Sequence, residues 1–356
     1  MRKHLLAAGI VAAALTACSG PPAAPPATLT GSATDLVRPS TRPLPLTPDP
    51  RPLAVSYTYQ GKQYSLDDFL RRSKTTGFTV LDGQQIVYEK GDPEADHQSW
   101  SMAKSFTSTA IGIALNEGRI GSLDDPITEY LPQLRDSGYD GVSIRNLLRM
   151  SSGISWNEDQ DAPKLQIAAH RGTDLTTIAA RQVRGWQPGS RFDYTSLNYF
   201  VLGWLIDRVT GMPYFRYIQQ KIWQPAGMGS SATIDNDVHG HDLGYCCYHA
   251  TDRDFARLGL LYLHGGAANG RQVLPRSWVT SATSPSSTFQ KNYGLGWWLD
   301  GDNYLAAGLG GQYIYVAPKD NVVIVDSADG GAAARSMQPE TLTAFRAIAD
   351  QVAKSR

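Results

Sequence analysis

The stretch Trp100-Ser101-Met102-Ala103-Lys104-Ser105-Phe106 decides how the rest of the chain is read. Of ten lysines, Lys104 alone has a serine three residues before it. On a helix, three residues advance roughly 300° and ~4.5 Å, which sets both side chains on one face a turn apart. The local pattern predicts a helix over residues 101–117, closed by Gly118. Its residues are largely apolar or small: Met102, Ala103, Phe106, Ala110, Ile111, Ile113, Ala114 and Leu115. A helix apolar around most of its surface is buried. A buried lysine without an acidic neighbour in sequence is costly as a cation unless its pKa falls. Reaching neutrality takes about three units, roughly 4 kcal/mol of differential solvation. The amine then serves as a base, and a serine one turn away is the group it can deprotonate. Ser101 also falls near the helix start, where free N–H groups and the dipole favour developing negative charge. A serine cap beside a snorkelling lysine is the structural alternative. No Gly-x-Ser-x-Gly elbow occurs, so the nucleophile signature of α/β-hydrolases is missing.

Outward from this helix, residues 78–81 and 85–89 are β-rich runs joined by Asp82-Gly83, a hairpin signal. The chain then reads mainly helical, most clearly at 143–150, 174–183, 197–210, 214–223 and 251–264. The last of these opens with a Thr251 cap and Asp254 three residues on. Strand patterns return at 293–299, 312–317 and 321–326, and residues 339–354 form a final amphipathic helix. The fold class is therefore α/β (α+β). A five-stranded antiparallel sheet is flanked by helices, with an all-helical subdomain over about 120–285. The cleft between the two is the default ligand site.

The ends of the chain carry other information. Arg2 and Lys3 precede an eleven-residue apolar run at 5–15, too short to cross a bilayer of about 30 Å as a helix. This reads as an export signal over residues 1–17. It ends Leu15-Thr16-Ala17-Cys18, which resembles the bacterial lipobox and implies lipidation of Cys18. The expected location is the extracytoplasmic face of a bacterial cell membrane, held by lipid at about 0.8 kcal/mol per buried CH₂. Residues 18–50 hold nine of the 21 prolines and read as an extended tether, although an arm packed on the domain is open for residues 36–46. Residues 51–356 are then the folded enzyme-sized domain.

Further segments resemble the serine β-lactamase and penicillin-binding-protein superfamily, in order. Residues 100–106 look like its active-site helix. Asn146-Leu147-Leu148-Arg149-Met150-Ser151-Ser152-Gly153 looks like its helix-to-loop block. Residues 186–196, ending Asp193-Tyr194-Thr195-Ser196, look like the block with its Tyr-x-Asn motif. Residues 251–261 match its Ala-Thr-x-x-Asp helix, and Gly308-Leu309-Gly310-Gly311-Gln312 falls where the family carries Lys-Thr-Gly or His-x-Gly. The resemblance implies Ser101 as nucleophile, Lys104 as general base and Tyr194 as proton-transfer partner. It implies an oxyanion hole from the N–H groups of Ser101 and Gln312. Two departures matter: Ser196 stands for the motif's asparagine, and Leu309 for the cation that receives a carboxylate. The sequence is similar to the branch of 6-aminohexanoate-dimer hydrolase and family VIII-like esterases. Ser196, Leu309, Gly310, Gly311 and Trp156 are then the candidate substrate-binding residues, with Glu158 and Asp159 on a rim loop able to attract a substrate amine.

A serine hydrolase for ester or amide bonds follows from the resemblance, with no cofactor. A D,D-carboxypeptidase or β-lactamase acting on peptidoglycan peptides or β-lactams is the alternative, as is a non-catalytic cell-wall-binding lipoprotein. His239, His241, Asp242, Cys246, Cys247 and His249 fall within eleven residues, but without metal-site spacing, so no metal site is expected. Cys246 and Cys247 are expected as two buried thiols. Composition is ordinary for a globular chain, with 42% hydrophobic and 19% charged residues, which excludes disorder throughout. Basic and acidic residues balance at 33 each, leaving no electrostatic footprint for nucleic acid.

Overall fold

The computed structural model describes residues 33–356. The export signal, Cys18 and the first part of the tether lie outside the described residues. The main sheet has seven strands: β1 (Thr47–Pro48), β2 (Thr75–Asp82), β3 (Gln85–Gly91), β4 (Trp298–Asp300), β5 (Asn303–Ala307), β6 (Tyr313–Ala317) and β7 (Val322–Ala328). Their order is β4-β5-β6-β7-β2-β3-β1. Every pairing is antiparallel except β1 with β3, which is parallel. Five strands were expected. The two missed are β5, whose Asn-Tyr-Leu-Ala-Ala lacks β-branched residues, and the two-residue β1, half of which is proline.

β7 is buried along its whole length, because both faces of the sheet are covered. Alternate residues point to opposite sides. Val322, Ile324 and Tyr315 pack outward with Phe69 and Phe345, the latter on the terminal helix Ala334–Lys354. Val323, Val325 and Ile314 pack inward, where helix Asp252–Leu263 approaches closely. A Cβ on its Gly259 would sit 2.6 Å from Val323 Cγ1. That helix therefore lines the sheet instead of belonging to the helical subdomain.

The middle of the chain is also not all-helical, which corrects the expectation. Ala232–Asp235 and Tyr248–Ala250 form a second sheet with His97–Gln98 and Thr34–Val37. The last of these comes from the Pro-rich segment, so the tether reading fails from residue 34 onward. Thr34–Val37 pairs antiparallel with Ala232–Asp235. Farther along, Leu44 N–H donates to Gly227 O at 2.8 Å, and Arg257 Nε donates to Leu44 O at 3.0 Å. Val37 and Leu44 are buried. Proline removes donors but does not prevent an extended arm from filling a groove with its apolar side chains.

Cys246 and Cys247 are buried as expected, but they form a vicinal disulfide and not two thiols. The left-handed backbone at Cys247 (φ 71°) brings both sulfurs to one side. Among the described residues no helix is long and apolar enough to cross a membrane.

The arm makes a testable contribution to stability. Leu44→Ala should cost about 2–4 kcal/mol in urea unfolding, as deletion of a buried leucine does. A free tether would leave stability unchanged within about 0.5 kcal/mol.

Candidate active site

Ser101 sits on a single 3₁₀ turn, Trp100–Met102, which runs directly into helix Ala103–Asn116. Trp100 takes a left-handed backbone, φ 43°, which costs a bulky residue about 1–3 kcal/mol. Neighbouring contacts hold that turn. Ser99 N–H donates to Tyr248 O at 2.8 Å, and Ser99 Oγ accepts from Tyr248 N–H at 3.1 Å. Phe106 stacks on the Tyr248 ring at 4.9 Å. The helix behind is buried from Ala103 to Ala114. Its hydroxyls are all used inward: Ser105 donates to Gly296 O at 2.7 Å and Thr107 to Gly244 O at 2.6 Å.

Lys104 is 1% exposed. Its Nζ lies 2.9 Å from Ser101 Oγ, 3.1 Å from Ser196 Oγ and 2.9 Å from the Tyr245 carbonyl oxygen. The rings of Tyr194, Tyr245 and Tyr199 stand 5.0, 5.9 and 6.0 Å from it. Burial pulls its pKa from 10.5 down to about 8, against a smaller opposing pull from the Glu158 carboxylate. The amine is thus poised near neutrality by desolvation.

Tyr194 precedes helix Ser196–Thr210, stacked on Trp298 with centroids 5.7 Å apart. Burial first, then Tyr293 and Glu158, push its phenol well above the ordinary value, with Ser101 and Arg335 opposing. It is a neutral phenol near Ser101, not a phenolate. Ser196 opens the helix. Its N–H donates to Glu158 Oε2 at 2.9 Å and its hydroxyl to Glu158 Oε1 at 2.5 Å. Thr195 caps nothing with its side chain, so the Glu158 carboxylate occupies the helix N-terminus, where an anion is favoured.

The loop 308–312 lies against the Ser101 turn. A Cβ on Gly308 would come within 2.8 Å of Ser99 O, and Gly311 has φ 97°. Gln312 stiffens the loop from inside: Oε1 accepts from Gly310 N–H at 3.0 Å and Nε2 donates to Ala328 O at 2.5 Å. Leu309 points out, 41% exposed. The structure thus gathers Ser101, Lys104, Tyr194 and Ser196 around one point, with the Gly310–Gln312 loop adjoining. Trp156 lies on the loop just before helix Glu158–His170. Its Nε1 donates to Glu158 Oε2 at 2.7 Å, so it clamps Glu158. Glu158 and Asp159 begin helix Glu158–His170 and are not a rim loop. Asp159 pairs with Arg335 of the terminal helix at 2.7 Å.

Sequence reasoning missed three features. Glu158 was visible only as one of an acidic pair. The Tyr245 carbonyl is a backbone atom that no side-chain pattern reveals. Arg335 precedes the stretch read as the terminal helix. The His/Cys/Asp cluster disperses: His239 Nε2 meets Gly172 O at 2.9 Å, while His249 Nε2 meets Asp235 Oδ1 at 3.3 Å. Asp174, Asp237 and His241 do offer ligand atoms within 4.8 Å of one another. Asp237, however, already accepts from the N–H groups of Leu175, His239 and His241. Asp174 Oδ1 caps the helix Leu175–Ala180 through Thr176. Asp237 and Asp174 thus fasten the surrounding loop and helix end through backbone N–H groups.

Comparison with known proteins agrees with this geometry. A family profile described as Beta-lactamase matches residues 71–334. The 6-aminohexanoate-dimer hydrolase of Paenarthrobacter ureafaciens is 32% identical over 295 residues, covering 73% of this chain and 74% of the relative. A Bacillus anthracis structure, provisionally described as a 6-aminohexanoate-dimer hydrolase, superposes with TM-score 0.80 at 23% identity, covering 90% of each chain. A family VIII carboxylesterase structure superposes with TM-score 0.61 at 15% identity, covering 79% of this chain and 94% of its own. The chain belongs to the beta-lactamase family and is an enzyme of its serine hydrolase superfamily.

Proposed function

We propose that the protein hydrolyses ester or amide bonds through an acyl-enzyme on Ser101. The observation that carries this reading is the buried Lys104 amine, 2.9 Å from Ser101 Oγ and brought down to about 8. Ser101 Oγ attacks the carbonyl carbon while its proton passes to Lys104 Nζ. The tetrahedral oxyanion is received by the N–H groups of Ser101 and Gln312, donors of a kind typically worth about 3–4 kcal/mol each. Collapse breaks the bond to the leaving group, which takes a proton from the Tyr194 phenol. Lys104 returns its proton to Tyr194. Water then attacks the acyl carbon, giving its proton to the same base, and Ser101 leaves with a proton restored.

Leu309 favours esters and simple amides over β-lactams. An apolar side chain at that edge cannot neutralise a carboxylate, and Arg335, which faces Tyr194, is already paired with Asp159. The Paenarthrobacter relative is named a 6-aminohexanoate-dimer hydrolase, and an amino acid dimer is joined by an amide, which supports the same reading. We further propose that residues 1–17 are removed on export and that lipid on Cys18 holds the enzyme at the outer face of the cell membrane. Removing residues 1–17 takes away Arg2 and Lys3 and no acid, so the remaining chain has no net positive charge with which to bind an anionic surface.

Ser101→Ala should abolish both p-nitrophenyl ester turnover and fluorophosphonate labelling while the melting temperature stays put. Labelling that survives the change would sink the nucleophile assignment. Nitrocefin and a D-Ala-D-Ala peptide should be turned over far more slowly than the esters. A reversed preference would favour the peptidoglycan reading.

The base must be neutral to act, so kcat/KM should rise with pH and level off above a midpoint near 8. A midpoint near 10.5 would mean that Lys104 is solvated in the working enzyme. For the anchor, Cys18→Ser should end incorporation of a clickable fatty acid and move the protein out of the membrane fraction. Unchanged incorporation would refute lipidation at that residue.

A further inference from the structure

A neutral amine has two N–H bonds and one lone pair, and general-base catalysis requires the lone pair to face the nucleophile. Lys104 has three polar neighbours within hydrogen-bond distance: the Tyr245 carbonyl, Ser196 Oγ and Ser101 Oγ. The carbonyl only accepts, so it takes one N–H. The two hydroxyls can each donate or accept, and each competes for the lone pair. Something must decide between them.

Glu158 decides. The Ser196 hydroxyl has one hydrogen, and the carboxylate Oε1 sits 2.5 Å away, the short distance of a charge-assisted bond. With that hydrogen committed, Ser196 Oγ can only accept from Lys104 and takes the second N–H. The lone pair is then left for Ser101. Glu158 is itself fixed by two further donors on Oε2, Ser196 N–H at 2.9 Å and Trp156 Nε1 at 2.7 Å. Both oxygens are occupied by protein donors, so the carboxylate is not offered to a substrate amine.

We propose that Glu158 is a positioning residue which, by holding the Ser196 hydroxyl hydrogen, aims the lone pair of the neutral Lys104 amine at Ser101. The inference rests on the reading of Ser101 and Lys104 given above. It assigns Ser196 to the base and not to the substrate.

Glutamine at 158 inverts this arrangement. Its single carbonyl oxygen must serve the two donors now on Oε2, which turns its NH₂ toward Ser196 Oγ. Ser196 then directs its hydrogen at Lys104 and takes the lone pair away from Ser101. The substitution also removes a negative charge that favours the Lys104 ammonium. Other groups facing the amine are the phenols of Tyr194, Tyr199 and Tyr245. Asp193 lies beyond Glu158, and Arg335, paired with Asp159, lies beyond Tyr194. The first three stay neutral across the working range because burial raises each of them. Losing the Glu158 charge therefore lets Lys104 release its proton at lower pH.

The test combines steady-state kinetics on a p-nitrophenyl ester with full pH profiles. Glu158→Gln should lower the kcat plateau by about 10- to 100-fold, the scale of a misaligned catalytic group. KM should stay within about twofold, because no substrate contact is lost. The acid limb should move to lower pH. A merely structural role would lower activity without moving that limb. Because Glu158 acts through Ser196, the double variant Glu158→Gln/Ser196→Ala should be no slower than Ser196→Ala alone. A kcat within twofold of wild type with an unmoved limb, or a further tenfold loss in the double variant, would overturn the inference. If Glu158→Gln melts far below wild type, Glu158→Asp withdraws the carboxylate by one methylene and keeps the charge. It should then lower kcat at constant KM, and unchanged kcat would count against the proposal. Ser101→Ala runs alongside: retained turnover there overturns the underlying serine-hydrolase reading, whereas a dead Ser101→Ala beside a normal Glu158→Gln overturns the positioning role alone.

Discussion

Keeping one lysine dry is the constraint on which the rest of the site depends. Lys104 meets no carboxylate directly. Its neighbours are two hydroxyls, one carbonyl and three aromatic rings. That surrounding is tolerable for a neutral amine and poor for an ammonium. It can be built only inside the protein, so the helix carrying Lys104 must be covered on all sides. Helix Asp252–Leu263 covers it from one direction, with Phe255 against Phe106 and Tyr262 against Thr109, and helix Ser196–Thr210 with the Tyr245–Tyr248 segment covers it elsewhere. Gly112 shows how tight the packing is: a Cβ there would fall 2.4 Å from the Trp278 ring. Stability and chemistry are thus joined, because packing that loosens around the helix would hydrate the amine and restore its proton.

The same economy appears in Glu158. One carboxylate caps a helix, orients a serine and modulates the base through that serine. Its charge works against desolvation, which is the larger effect, so the amine settles near neutrality and not far below it. On the substrate side the site is less polar than the arrangement the family resemblance implies. Leu309 stands exposed at the cleft edge, and the nearby Arg335 is engaged by Asp159. Under the proposed function, a neutral acyl group suits such an edge better than a carboxylate does.

How much of this was legible in the sequence depended on whether the signal was local. The Ser101/Lys104 pair, three residues apart on one apolar helix, could be read directly, and burial of the lysine followed from its neighbours. The Asp82-Gly83 hairpin and the later sheet strands were visible through alternation and β-branched residues. Glu158 and Ser196 are 38 residues apart, and no periodicity links them. The Tyr245 carbonyl has no side-chain signature at all. The Pro-rich arm misled because composition reports what a segment cannot form by itself. It is silent on the groove that Val37 and Leu44 fill once the domain is folded. The vicinal disulfide was missed because the left-handed backbone at Cys247 has no signature in the dipeptide itself.

The most direct test of this account is the ionisation of Lys104 itself. Titration of ¹³Cε-lysine-labelled protein by NMR should show one lysine signal with a midpoint near 8 that is absent from a Lys104→Met variant. If every lysine titrates above about 10, the amine is a solvated ammonium, and the buried-base account of the site is contradicted.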